Sequence, residues 1–328
     1  MTGSGRFQSA LGPQIQAYVE YKQALGLIFK GPVCVLRVLD RFLSQQRADD
    51  LTPGIFDAWS QTLGHLSPRC RRQYLSIARH LCLYRRRTDP QCFVPDSIEF
   101  PDRGPQRPAL ILSEAQIQCL LDVAAALPAR AHSPLQPEVY RQAITLGYAC
   151  GLRRGELIRL AVSDCDLHQR TLLVQQSKGR KSRLVALSDS VAKQTGQYLL
   201  ARERFPHARD APLLVHGRHC SLPYSGRGID CGFQRLFRNA GIRGVGGRPA
   251  RLHDLRHSHA VHVLLRCYHE GIDPQSRLPA LAASMGHVSL ASTAYYLTQI
   301  EPVIQQAGER FARYARSIAA PLPGDDHA

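Results

Sequence analysis

The chain has 328 residues, 44% of them hydrophobic, which suits a globular protein of about two domains and excludes a disordered polymer. No run of about twenty apolar residues occurs, and the opening residues Met1 to Arg6 lack the apolar core of a signal peptide, so a cytoplasmic protein with no membrane partner is expected. The net charge of +16 points to a polyanion, with nucleic acid favoured over a membrane surface.

The cations are nearly all arginine. The lysines are Lys22, Lys30, Lys178, Lys181 and Lys193, and a lysine kept against that background is a candidate for proton chemistry, since arginine does not release its proton. Ten cysteines are scattered without a C-x-x-C pair, which argues against a zinc ribbon and for reduced, mostly buried thiols.

The first hundred residues read as helices. Ile15, Tyr18 and Val19 share one face of the first, and Val33 to Leu43 forms a second. A third, from Ser67 to Arg87, carries Arg69, Arg71, Arg72, Arg79 and Arg85 to Arg87 without an acid, and is read as a face that contacts phosphates. Prolines 90, 95, 101, 105 and 108 mark an extended stretch. The resulting division is a helical domain over 1–100, a linker over 101–112 and a second domain over 113–320, with a disordered tail at 321–328.

Ser113-Glu114-Ala115-Gln116 is a capping box that opens the second domain. A helix over Glu138 to Cys150 is stopped by Gly151 and followed by a short one around Glu156. Thr171 to Gln175 and Arg183 to Leu187 flank Ser177-Lys178-Gly179-Arg180-Lys181 and predict a β-hairpin with a basic turn. Ser188 caps a helix through Arg202, and further helices are predicted at Ile229 to Ala240, Leu255 to Cys267 and Pro279 to Met285. Residues 302–318 place Ile304, Ala307, Phe311, Tyr314 and Ile318 on one stripe, suited to docking on this chain's own core or on another copy. The fold class is therefore mainly α with a small antiparallel β-sheet (α+β).

The chemistry concentrates in His253-Asp254-Leu255-Arg256-His257, Gly286-His287 and Tyr295-Tyr296. Residues three apart on a helix face the same way, so His253 and Arg256 converge. Cations for phosphate oxygens, imidazoles for protons and a phenol for a covalent bond together suit attack on a phosphodiester. Each residue alone has a plainer reading as surface charge or core, and Tyr295 competes with Tyr296 as Lys181 does with Lys178. The three close histidines His253, His257 and His259 have no carboxylate at zincin spacing, so no metal is expected.

The set resembles the tyrosine recombinase, or phage-type integrase, family over most of the chain. Gly151-Leu152-Arg153 with Glu156-Leu157 is similar to the segment of its first catalytic arginine, Lys178 to its hairpin lysine, His253 to Arg256 to its H-x-x-R box, and Gly286-His287 to its G-H pair. Tyr296, nine residues after His287, stands at the spacing of its nucleophile. Gly155 departs from the serine frequent in the family, and residues 269–277 look longer than in compact members.

The resemblance implies a helical core-binding domain and a catalytic domain. It implies a site-specific recombinase that cleaves and rejoins DNA through a 3′-phosphotyrosyl link on Tyr296. In that reading Arg153 and Arg256 hold the phosphate, His253 accepts a proton, Lys178 protonates the leaving oxygen and His287 adds a hydrogen bond, with no cofactor and no metal. Arg69, Arg71, Arg72, Arg79, Arg180 and Lys181 would contact DNA. Partners implied are double-stranded DNA, a homo-tetramer on two synapsed sites, other recombinases and accessory DNA-bending proteins, in the nucleoid. With no obvious extra N-terminal arm-binding domain, the expectation leans towards a mobile-element recombinase, and integration, excision, transposition and dimer resolution stay open as its role. The alternatives are a topoisomerase IB-like or telomere-resolving enzyme and a catalytically silent DNA-binding regulator.

Overall fold

The computed structural model describes residues 7–27, 29–102, 109–175, 182–287, 289 and 291–298. The expected docking stripe over 302–318, the tail over 321–328 and the hairpin residues Lys178, Arg180 and Lys181 lie outside them. The chain divides into two compact units, Met1–Arg107 and Pro108–Ala328.

Unit 1 contains α1 (Gly12–Ala24), α2 (Lys30–Gln46), α3 (Pro53–Thr62) and α4 (Pro68–Arg85). Ile15, Leu36, Leu39, Leu43, Trp59, Ala78 and Leu81 form its core. Thr52 and Ser67 each accept a backbone N–H at the start of α3 and α4, with proline at the first helical position, where a missing N–H costs nothing. α3 went unread in the sequence because Pro53-Gly54 looks like a turn, although Thr52-Pro53 is a helix-start signal.

The arginines of α4 divide in a way their spacing does not reveal. Arg69 is exposed. Arg71 donates to Ser60 Oγ at 3.0 Å, Arg72 donates to the carbonyls of Phe100 (3.0 Å) and Pro101 (3.1 Å), and Arg79 donates to that of Pro95 (2.9 Å). Arg85 is buried and pairs with Asp50 at 2.7 Å. The segment from Cys92 to Phe100 is thus strapped onto α4, and both of those residues enter the unit 1 core.

Unit 2 begins with α5 (Glu114–Ala125), where the expected capping box is present in both directions between Ser113 and Gln116. The central α6 (Gln136–Ala149) packs against α5, α8 (Asp189–Arg202) and α10 (Leu252–His269). Gly147 lets α6 approach α10 closely, since a Cβ there would sit 3.2 Å from Leu255 Cδ1. Strands β1 (Cys165–Asp166), β2 (Thr171–Val174) and β3 (Arg183–Ala186) form an antiparallel sheet in that order, with Leu172 opposite Val185 and Val174 opposite Arg183. β4 (Val215–His216) pairs with β5 (Leu222–Pro223), ahead of α9 (Gly226–Asn239). Neither β1 nor this second pair was expected, because two-residue strands leave no periodicity to read.

After α10 come α11 (Pro274–Met285) and α12 (Ala291–Ala294). The sequence reading started α11 at Pro279. Proline suits a first turn, but here Pro274 holds that place behind the cap Asp273, and Pro279 lies inside the helix. The stretch 269–277 is consequently the end of α10, a turn through Gly271 and the first turn of α11. All ten cysteines are free. Cys34, Cys70, Cys119 and Cys231 are exposed, against the expectation of mostly buried thiols. No helix among the described residues is long and apolar enough to cross a membrane.

Candidate active site

Four elements of unit 2 converge on one carboxylate. Gly151 ends the α6 segment in the left-handed region (φ +59°), turning the chain so that Arg153 stands just before α7 (Arg154–Leu157). Glu156, in that helix, is buried. It accepts from the Arg153 backbone N–H and from Arg153 Nη1, each at 2.9 Å. Arg183, first residue of β3, grips the same carboxylate with both terminal nitrogens, at 3.1 and 3.0 Å. Arg256 Nη1 lies 3.9 Å from it. Burial pushes the Glu156 carboxyl up, but the Arg183 and Arg153 bonds outweigh it and hold the pKa at about 2.

The guanidinium groups are also held by main-chain carbonyls. Arg153 Nη2 donates to Gly286 O (2.8 Å), Arg183 Nε to Ser284 O (2.6 Å), and Arg256 to Gly151 O (2.5 Å) and Met285 O (2.8 Å). Arg256 is only 1% exposed. Burial, then repulsion from Arg153, lowers its pKa to about 10, so it remains charged at neutral pH. Arg153 is 24% exposed, the more open of the two. A rigid pair of permanent cations, one accessible, is an arrangement able to bind an anionic oxygen pair.

Gly286 closes α11 in the left-handed conformation (φ +65°), and a Cβ there would lie 2.7 Å from Arg183 Nη1. Gly286→Ala should therefore lower stability by about 1–2 kcal/mol from backbone strain alone, with further loss from displacing Arg183. An unchanged melting temperature would contradict this close approach.

The turn places His287 beside the arginines. Its Nδ1 meets Thr293 Oγ1 at 2.7 Å, and Thr293 is fully buried, so the ring is oriented from behind. Tyr296 follows α12 and is 3% exposed. Its ring stacks near that of His287 (centroids 6.2 Å, interplanar angle 15°), and its hydroxyl lies 3.1 Å from His257 Nδ1. Burial raises the phenol pKa, and the charges of Arg256 and Arg153 pull against it without cancelling it. Tyr295 is less buried, its ring 5.7 Å from that of Tyr296.

His253 begins α10 on the solvent side, 4.6 Å from the His257 ring. The surrounding protein, then His257, Arg256 and Arg251, lower its pKa. Desolvation and the nearby arginines also lower His257 and His287, each to about 4, so the imidazoles are neutral at pH 7.

Arg153, Arg256, His253, His287 and Tyr296 thus surround one site, whereas Lys178 lies outside the described residues. Sequence reasoning gave no role to Glu156, Arg183, His257 or Thr293. A signal existed for Glu156, an acid three residues after an arginine on a short helix, and for His257, adjacent to Arg256. No pattern marked Arg183 or Thr293. Among the described residues no group of three or more His, Cys, Asp or Glu is arranged to hold a metal ion.

Residues 111–301 match the phage integrase family. The chain belongs to that family. Among its relatives is a Sinorhizobium fredii protein named as an integrase/recombinase, y4rE, 32% identical over 94% of this chain and 97% of the relative. Tyrosine recombinase XerD of Pseudomonas putida is 29% identical over 76% of this chain and 77% of its own. The fold is that of XerH site-specific recombinase, solved bound to a palindromic difH substrate, with a TM-score of 0.62 at 18% identity over 85% of this chain and 78% of that one.

Proposed function

We propose that this protein breaks and rejoins double-stranded DNA at specific sites, with Tyr296 as the nucleophile. The observation that carries the reading is the buried Tyr296 phenol held among Arg256, Arg153 and neutral imidazoles. Its relatives are named as recombinases, and the XerH neighbour was solved on a DNA substrate.

A phosphodiester under attack gains charge on its non-bridging oxygens, and Arg153 and Arg256 meet that charge with fixed donors. His287, its ring oriented by Thr293, and His253, at the open side, add hydrogen bonds. The phenolic oxygen forms a bond to phosphorus as the bond to the 5′-oxygen breaks, leaving a 3′-phosphotyrosyl link and a 5′-hydroxyl. Lys178, which falls between β2 and β3 in the sequence, supplies the proton to that oxygen. A 5′-hydroxyl of another strand reverses the step, and because the ester conserves the bond no nucleotide cofactor is consumed.

The test is a duplex nicked beside the cut site, incubated with protein in EDTA and resolved on a denaturing gel. A covalent protein–DNA band is expected, and its absence with the wild-type chain would overturn the reading. A silent DNA-binding regulator would have no use for a nucleophile so placed.

Unit 1 serves as a DNA-binding domain, with exposed Arg69 on phosphate. Arg180 and Lys181 follow Lys178 in the sequence and touch the same backbone. Arg71, Arg72 and Arg79 contribute mainly through the internal bonds described above. Affinity should fall steeply with salt, as for any protein that displaces counterions. Four copies hold two sites in the nucleoid, joined through the 302–318 stripe. Deleting the residues after Pro302 should weaken pairing of two sites more than binding of one, measured by gel shift with one and two duplexes. Equal loss of both would argue against that contact.

A further inference from the structure

His257 lies within hydrogen-bond distance of the Tyr296 hydroxyl, yet it is outside the residues assigned above. We propose that His257 Nδ1 is the base that takes the phenolic proton of Tyr296 during strand cleavage and returns it during rejoining. The inference rests on the proposed role of Tyr296 and deepens it.

The geometry is direct. His257 Nδ1 and Tyr296 Oη are 3.1 Å apart, within hydrogen-bond reach in the DNA-free protein. Tyr296 is buried and His257 half-buried, with ring centroids 5.6 Å apart. His253, one turn earlier in α10, packs edge-on against His257 instead. For Nδ1 to accept, His257 must carry its proton on Nε2, a tautomer open to it when neutral.

The groups facing His257 are Arg251, His253 and Arg256 from α10, His287 from the end of α11, and Tyr296 after α12. Desolvation, then Arg251, Arg256 and His287, keep it neutral with a free lone pair. The same charges make it a weak base until a counter-charge arrives. A phosphodiester seated on Arg153 and Arg256 brings that counter-charge, favouring the imidazolium and so the transfer. The phenol is thereby activated only when a phosphate is present to be attacked.

The step balances. The proton of Tyr296 Oη passes to His257 Nδ1, the freed electron pair forms the O–P bond, and the P–O5′ bond breaks. The departing 5′-oxygen takes a separate proton, from Lys178. Rejoining runs each transfer backwards.

The experiment uses full-length protein and a nicked duplex whose site is first recovered by capturing covalent adducts of the wild type from random-sequence DNA. His257→Ala and His257→Asn are compared with the wild type in single-turnover cleavage across pH 6 to 10, beside a gel-shift measurement of binding. Asparagine offers an acceptor oxygen near the Nδ1 position but does not take up a proton, so it restores a positioning role and not a base. Both variants should bind DNA within about threefold of wild type and cleave about 10²–10⁴-fold more slowly at pH 7, the deficit narrowing as pH rises towards ionisation of the phenol. A substrate with sulfur in place of the 5′-oxygen, whose thiolate leaves without a proton, should rescue Lys178→Ala and not His257→Ala.

Wild-type-like cleavage by His257→Asn, or rescue of His257→Ala by the sulfur substrate, would overturn the assignment. If the wild type captures no DNA at all, the reading of Tyr296 falls with it. If it does and His257→Ala matches it, this inference alone fails.

Discussion

Tyr296→Phe should abolish the covalent DNA adduct while leaving the fold intact. Phenylalanine keeps the ring that lies against His287 and is buried with Ala260, Val261, Leu264 and Met285, and removes only the oxygen. The stability cost should be that of one hydrogen bond, about 1 kcal/mol. Loss of a covalent nucleophile costs catalysis on the order of 10⁶-fold, so no band should be visible on a denaturing gel even after long incubation. Tyr295→Phe should cleave within a few-fold of wild type, since its ring lies against that of Tyr296 and its oxygen is not bonded to His257. A band that survives in Tyr296→Phe and vanishes in Tyr295→Phe would move the nucleophile by one residue. Because burial raises the Tyr296 pKa in the DNA-free protein, wild-type cleavage should also accelerate as pH rises above neutrality.

The second large effect is expected at Glu156. Its carboxylate is the shared counter-ion of Arg153 and Arg183, and Arg256 is close by. Removing one member of a buried ion pair strands the others, at a typical cost of about 3–5 kcal/mol. Glu156→Gln keeps the shape and loses the charge, and should lower the unfolding free energy obtained from urea titration by an amount in that range. Single-turnover cleavage should fall as well, because the arginines lose their common anchor.

The pH dependence carries the same signature. The folded-state pKa of about 2 lies below the ordinary value of 4.5. The ionised carboxylate therefore contributes about 3 kcal/mol of stability that is fully present above pH 5 and lost as pH falls towards 2. The wild type should converge on Glu156→Gln at the acid end of that window. Parallel stability curves for the two proteins would contradict the account.

How much of this was legible in the sequence depended on whether the determining chemistry was local. Ser113, Ser188 and Gly151 marked helix ends correctly, because a cap or a left-handed stop acts within four residues. The cluster of Arg153, Arg256, His287 and Tyr296 was legible because each sits in a short motif whose spacing tracks the fold.

Arg183 was not legible. β3 reads Arg-Leu-Val-Ala, and nothing in those letters says which face is buried. In the folded chain Arg183 and Val185 turn inward while Leu184 is 66% exposed, the reverse of what hydrophobicity suggests. The partner that draws the arginine in, Glu156, is twenty-seven residues away. The arginines of α4 show the opposite failure. Their density suggested one phosphate-facing surface, but Arg72, Arg79 and Arg85 found carbonyls and a carboxylate within their own unit, from residues distant in sequence. His257 was read only as a neighbour of Arg256, since a hydrogen bond spanning thirty-nine residues leaves no trace in local spacing.

The three carbonyls at the end of α11 have a mechanical consequence. Ser284, Met285 and Gly286 each grip a different guanidinium, and His287 follows at once. One peptide turn thus fixes three guanidinium groups at the same time. A displacement of that turn would carry the three arginines with it in concert.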